Sequence, residues 1–288
     1  MDLRSLFSIL MNLSTLAFVV TSMLAMGLSL TMAQILAPLR NTRLVLAALA
    51  ANFILAPALA FGIGSLLPLS DGLRLGLILV STAAGAPFLP RLAQLAKGDI
   101  AFAVGLMTLL VVITIFYMPL VLPLLMRGVT VNPWEIARTL ILLMFLPLTT
   151  GLLIRARYRE TPGSWVPYLT KASNIALVTL LVAGLIANLS AIVEIIGTTG
   201  ILAALLFLVS CFVTGYLLGG RQDSSRPVVA LGTAQRNLAA ALAVATANFS
   251  EDPAVIVMIL VLGLVDLSVL LFTANLLGRR TYDPQPAG

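Results

Sequence analysis

Histidine is absent from this chain of 288 residues, and cysteine occurs once, at position 211. Without imidazole there is no His-based acid–base catalysis, no haem ligation through histidine and none of the usual zinc sites. One thiol alone excludes internal disulfides, and Cys211, inside an apolar run, reads as a buried structural residue. Charge is scarce as well: 10% of the residues are charged against 60% that are hydrophobic. The formal charge of +6 is scattered between apolar runs, with no basic stripe interleaved with aromatics, so no nucleic-acid partner is expected. Long polar stretches are missing too, which leaves no room for a separate soluble domain.

What remains is apolar sequence, recurring from Leu6 to Leu277 with short polar breaks. The runs have the length of about 20 residues that a helix needs to cross a hydrocarbon core of about 30 Å, and they do not alternate as barrel strands do. The spacing predicts an all-α integral membrane protein with about nine transmembrane helices, at 6–31, 43–68, 73–96, 100–126, 134–155, 166–191, 195–220, 226–249 and 253–277. The first run is too long for a secretory signal and lacks a clear cleavage site. Residues 1–288 therefore read as a single transmembrane domain ending in a short cytoplasmic tail at 278–288.

Basic residues orient the chain. Arg4, Arg74, Arg127 and Arg138 fall on one side, while Arg40, Arg43, Lys97, Arg155, Arg157, Arg159, Arg221, Arg226, Arg279 and Arg280 fall on the other. That bias predicts a multi-pass protein of the cell membrane with its N-terminus outside and its C-terminus in the cytoplasm.

Two spans are interrupted at their centres. In the third, Gly85-Ala86-Pro87-Phe88-Leu89-Pro90-Arg91 carries two prolines, each removing a backbone donor and crowding the preceding turn. The eighth carries Gly232-Thr233-Ala234-Gln235-Arg236-Asn237, where Gly232 is the point at which the helix is expected to open. Each interrupted span is the penultimate one of its half, which is the pattern of an inverted repeat over about 6–126 and 134–277. Transporters built this way place substrate near the midplane, at the ends of discontinuous helices.

Three charges fall at membrane depth: Arg91, Arg236 and Asp266. A charge at the centre of a membrane helix costs roughly 2.5–3.5 kcal/mol on insertion scales, so each is a functional-site hypothesis. A structural ion pair of Asp266 with Arg236 or Arg91 accounts for them without a ligand. A substrate and coupling site is the sharper reading of the same proximity, and two arginines against one aspartate favour an anionic substrate. Asn52, also mid-span, reads either as a helix–helix hydrogen bond or as a ligand. The candidate substrate-binding residues are Arg236, Gln235, Asn237, Asp266, Arg91, Pro87, Thr233 and Asn52, with Asp266 and Arg236 as coupling residues. No catalytic residue and no metal ligand is expected.

These segments resemble the bile acid:sodium symporter family, in its nine-helix form. Met26-Gly27-Leu28-Ser29-Leu30-Thr31 resembles an early helix signature of that family, Gly85 through Lys97-Gly98-Asp99 its first crossing helix, and Gly232 through Ala243 its second. The resemblance implies an inverted-repeat transporter fold with two interrupted, crossing helices, and a core separate from a panel formed by the first, fifth and sixth spans. It also marks where sodium ligands belong. The family's glutamate and glutamine on either side of the second-arm glycine are replaced by Ala230 and Ala234, its Ser-Asn pair by Leu89 and Pro90, and the hydroxyls of the next helix by Ala103 and Met107. Gln235 stands where the family has an asparagine, and Asp266 where some members have a histidine.

Sodium needs several oxygen ligands, so these replacements count against family-style sodium coupling. The expectation is a secondary transporter of a small organic anion, working by alternating access in a sodium-independent or proton-linked mode. Arg236 and Arg91 then serve as tethered cations and Asp266 as the group that responds to protons. Alternatives are a transport-inactive sensor or scaffold on the same fold, or a carrier of another weak acid such as an auxin-like compound. An enzyme is not expected, because one buried aspartate cannot form an aspartyl dyad. The bilayer and the anion are the expected partners.

Overall fold

The computed structural model describes residues 3–31, 34, 41–126, 132–158, 162–189, 199–222, 224–249 and 252–280, and among them every regular element is helical. Eleven helices are numbered here in chain order. These are α1 (Leu3–Ser29), α2 (Thr42–Leu66), α3 (Asp71–Thr82), α4 (Leu89–Leu95), α5 (Ile100–Leu125) and α6 (Pro133–Arg157). They continue as α7 (Pro162–Ala187), α8 (Gly200–Leu218), α9 (Arg226–Ala234), α10 (Leu238–Asn248) and α11 (Pro253–Arg280). Eight helical stretches among the described residues are long and apolar enough to cross a membrane, with α9 and α10 together forming one of them.

The sequence-based third span, 73–96, is the exception. It is two helices, α3 and α4, separated by a non-helical stretch from Ala83 to Phe88. Helix α3 stops well before the prolines, because Gly85 takes φ +81, a conformation that leaves the helical region. Helix α4 then restarts with Pro90 in its first turn, where the missing N–H costs nothing. The expected end of the sixth span, the start of the seventh and the tail after Arg280 lie outside the described residues.

Polar side chains mark the helix starts. The side chains of Asn41, Ser70, Asp99, Asn132 and Asn237 accept hydrogen bonds from backbone amides in the first turns of α2, α3, α5, α6 and α10. Two helices widen into a π-helical turn, Ala51–Leu55 in α2 and Ile141–Phe145 in α6, and each turn is followed two residues later by a proline, Pro57 or Pro147. Proline cannot donate to the carbonyl four residues back, so a local widening at this point has an identifiable cause. In α2 the carbonyl left over is that of Phe53, and the Tyr117 hydroxyl of α5 donates to it at 2.5 Å.

Helix α1 packs most extensively against α7 and then against α6, while α8 packs on α9 and α3 on α11. Helix α1 thus gathers α6 and α7, the helices that the resemblance assigns to the panel, while α6 also packs against α5 and α10, and α1 against α10. Within the panel Gly27 and Gly151 let the backbones of α1 and α6 touch. A Cβ on Gly27 would lie 2.3 Å from the Leu148 carbonyl oxygen.

Candidate functional site

Both helix interruptions meet in the centre of the remaining helices. The backbone N–H of Asn237, between α9 and α10, donates to the Ala83 carbonyl at 2.9 Å, and its Nδ2 donates to the Gly85 carbonyl at 3.0 Å. Its Oδ1 caps α10 by accepting from Ala240 N at 3.1 Å. From the other side the Thr114 hydroxyl of α5 accepts from Ala84 N at 3.1 Å and donates to the Ala84 carbonyl at 3.0 Å. Unwound backbone in an apolar interior must find such partners, since each unpaired group costs several kcal/mol in hydrocarbon.

Arg236 lies between the two breaks with a relative exposure of 3%. Its Nη1 donates to the Ser81 carbonyl at 3.2 Å, and its Nη2 donates to the Thr233 carbonyl and to Cys211 Sγ. Ser81 is the penultimate residue of α3 and Thr233 that of α9, so one guanidinium joins the carboxyl ends of both half-helices. Phe207 of α8 lies below it, its ring centroid 5.6 Å from Cζ, within the range of a cation–π contact.

Asp266 of α11 is buried beside this junction. Arg236 is its charged neighbour, yet the two side chains form no ion pair. The structural ion pair considered from the sequence is therefore not how Arg236 is held. Asn52, in the π-helical turn of α2, donates to Ala48 O at 2.9 Å and to Thr233 Oγ1 at 3.3 Å. Four buried side-chain atoms here have no hydrogen-bond partner: Asn52 Oδ1, Gln235 Oε1, Arg236 Nε and Asp266 Oδ1. Such atoms are uncommon in folded proteins, and four of them gather at this junction.

The structure thus brings Arg236, Gln235, Thr233, Asn52 and Asp266 together, and it changes the reading of three candidates. Arg91 is not part of the cluster. Leu89, Leu92 and Ala93 form the buried face of α4, which turns Arg91 outward to an exposed hydrogen bond with Gln94 Oε1 at 3.2 Å. Asn237 is a brace between the breaks, with both polar ends of its side chain committed. Pro87 is half-buried in the non-helical stretch and has no N–H to offer. Gly232 also proves to be helical, and a Cβ there would sit 2.9 Å from Leu89 Cδ2. Its role is close approach of α9 to α4, and the break falls three residues later.

Sequence reasoning missed Ser81, Thr114 and Tyr117. The signal for Thr114 was present, one of three hydroxyls, with Thr108 and Tyr117, in the largely apolar α5; Ser81 contributes a backbone carbonyl, which sequence does not display. A cavity of about 960 Å³ opens between α2, α3 and α5, lined by Phe53, Phe61, Arg74 and Tyr117 among others, and it reaches the α2 turn that holds Asn52.

The residues at the expected sodium-ligand positions do not fit the ion. Leu89, Ala103, Met107, Ala230 and Ala234 are buried and apolar, Pro90 offers no side-chain oxygen, and the carbonyls of Ser81 and Thr233 are taken by the guanidinium. Among the described residues no group of three or more Asp, Glu, His or Cys side chains is placed to hold a metal ion.

The profile of the Sodium Bile acid symporter family matches residues 16–195, a stretch that includes the first break and not the second. Over 197 residues the chain is 30% identical to a protein of Oryza sativa subsp. japonica named probable sodium/metabolite cotransporter BASS2, chloroplastic, covering 68% of the chain and 47% of the rice protein. Identity is 26% over 241 residues to the uncharacterized sodium-dependent transporter YocS of Bacillus subtilis (strain 168), covering 81% of the chain and 74% of that protein. The probable sodium/metabolite cotransporter BASS6, chloroplastic, of Arabidopsis thaliana is 24% identical over 246 residues, or 81% of the chain and 60% of the relative. The chain thus spans about half the length of the rice relative.

Proposed function

The chain belongs to the Sodium Bile acid symporter family, and from that premise we propose that it is a secondary carrier moving a small organic anion by alternating access, without sodium. The family and the named relatives are membrane transporters and not enzymes, and the apolar helices make this an integral membrane protein. The observation that carries the mechanistic reading is the junction of two half-helix ends at Arg236, in an otherwise apolar interior. Discontinuous helices that meet at mid-depth are where carriers of inverted-repeat design hold their substrate. The packing of α6 and α7 on α1 supports a panel against which the core moves, with α1 and α6 meeting the core at α5 and α10.

In this reading the open acceptors Gln235 Oε1 and Asp266 Oδ1 meet donor groups of the substrate, such as hydroxyls, or for Asp266 a proton, while the anionic group faces Arg236; Asn52 and Thr233 stand behind them. Arg236 supplies positive potential through its unpartnered Nε and its net charge, while its Nη atoms stay on backbone carbonyls. Asp266 is the group that takes up and releases a proton, with Arg236 and the Cys211 thiol as its ionisable neighbours. The two halves, about 6–126 and 134–277, form the inverted repeat, and the bias of basic residues places the N-terminus outside the cell membrane and the C-terminus in the cytoplasm.

Counterflow in proteoliposomes, with a panel of labelled carboxylic acids and with or without sodium and a pH gradient, tests this directly. Exchange of one or more acids that is indifferent to sodium and altered by the pH gradient is expected. A strict sodium requirement sinks the proposed mode, and saturable binding without counterflow points to a sensor on the same fold.

A further inference from the structure

We propose that the Arg236 guanidinium is a built-in cation seated between the carboxyl ends of α3 and α9, and that the seat accepts a free monovalent cation of similar shape once the arginine is removed. This rests on the crossover being the working centre of the carrier, and it names what holds that centre in shape. The carbonyls of a helix's last turn lack intrahelical partners and carry the negative end of its dipole. Two such ends face one another here, at Ser81 and Thr233, in an interior lined by alanine, leucine and Phe207. The nearby hydroxyls cannot neutralise them: Ser81 Oγ donates back to Ile78 O, and Thr82 Oγ1 to Leu79 O.

A guanidinium suits this geometry because it is planar, always charged and offers several N–H donors in a fixed fork. One nitrogen goes to each helix end, and the sulfur of Cys211 takes a further contact at 3.7 Å. Sodium in the same place would need more oxygens than the surrounding side chains supply. Because the arginine is covalently attached, the two helix ends stay bridged whatever the ionic composition outside. The absence of sodium-ligand side chains and the presence of Arg236 are then two halves of one exchange. In this arrangement Arg236 is a positioning residue, and Arg91, exposed on α4, has no part in the seat.

Cys211 offers a test that needs no knowledge of the substrate, since it is the chain's single cysteine and is fully buried against the guanidinium. The protein, in lipid nanodiscs, is treated with 2-aminoethyl methanethiosulfonate, a small cationic thiol reagent, and labelling is followed by mass spectrometry. Wild type is expected to label slowly because the guanidinium covers the sulfur, and Arg236→Ala roughly tenfold faster or more because the emptied seat admits the cationic reagent, a gain in access that outweighs the lost thiolate activation. Millimolar guanidinium chloride should protect the alanine variant saturably, whereas N-methylglucamine chloride at equal ionic strength should not. Arg236→Lys, which keeps a charge in place and guards against a folding failure, should label at an intermediate rate without guanidinium protection. Unchanged labelling in both variants, or protection equal with the two salts, overturns the proposal. A carrier that exchanges acids but shows no protected seat refutes this inference alone, and a protected seat without counterflow refutes only the transport reading.

Discussion

Asn237 holds Gly85 across the centre of the molecule, its Nδ2 on the Gly85 carbonyl at 3.0 Å while its Oδ1 caps α10. One side chain thereby joins the two interrupted segments and starts the second half of one of them. Asn237→Ala removes both bonds. The lost cap costs about 1 kcal/mol and the orphaned carbonyl about 1–3 kcal/mol. A clear fall in melting temperature in detergent is expected, together with loss of transport. Asn237→Ser, which retains a cap acceptor and is too short to reach Gly85, should recover part of the stability and little of the transport. Equal melting temperatures for the alanine variant and wild type would show that the brace contributes nothing.

Gly85 itself tolerates no side chain. At φ +81 a Cβ would lie 2.4 Å from Val111 N and 2.9 Å from the Leu110 carbonyl carbon, both backbone atoms that cannot step aside. Gly85→Ala adds a strained dihedral of about 1–3 kcal/mol to that clash, so folded yield should collapse. Gly62 is the control, helical with nothing within 4 Å of its Cβ position, and Gly62→Ala should leave stability unchanged or raise it by about 0.5–1 kcal/mol. Size-exclusion profiles and thermal melts of the two variants check the contrast.

These glycines show where the sequence was legible and where it was not. The first break was readable because Gly85, Pro87 and Pro90 each disfavour a helix for a local reason. The second falls where the polar Gln235, Arg236 and Asn237 predict it, whereas Gly232, the expected point of opening, is a glycine kept for contact with Leu89 of a distant helix. Arg236 was recognised as central from the cost of its charge alone. Its partners were not, because Ser81 and Thr233 contribute backbone carbonyls and every residue type carries one. Arg91 reads as a site residue only along a continuous third span. The restart of α4 at Leu89 sets a new helical phase and turns it outward.

Thr114 serves two backbone groups with one hydroxyl, accepting from Ala84 N and donating to Ala84 O. Thr114→Val preserves shape and leaves both groups buried without a partner, at about 1–3 kcal/mol each. Thr108, one and a half turns earlier on the same helix, donates only to the Val104 carbonyl of its own helix. Thr108→Val should cost less than about 1 kcal/mol, since that carbonyl belongs to the α5 ladder. Thermal melts of the pair should therefore separate clearly, and coincident curves would remove Thr114 from the account of the first break.

Tyr117 and Pro57 should be coupled, although they lie on different helices. Pro57 offers no N–H to the Phe53 carbonyl four residues before it, and the Tyr117 hydroxyl takes that carbonyl instead. Tyr117→Phe then strands the carbonyl at a cost of about 1–3 kcal/mol and loosens the turn that carries Asn52. In a Pro57→Ala background an alanine N–H becomes available, so the same tyrosine change should cost less. A double-mutant cycle measured by thermal or chemical unfolding in detergent gives the difference as an interaction energy, expected at about 0.5–3 kcal/mol for groups sharing one partner. Strict additivity would mean that the proline and the tyrosine do not share the Phe53 carbonyl, and that the widened turn in α2 has another cause.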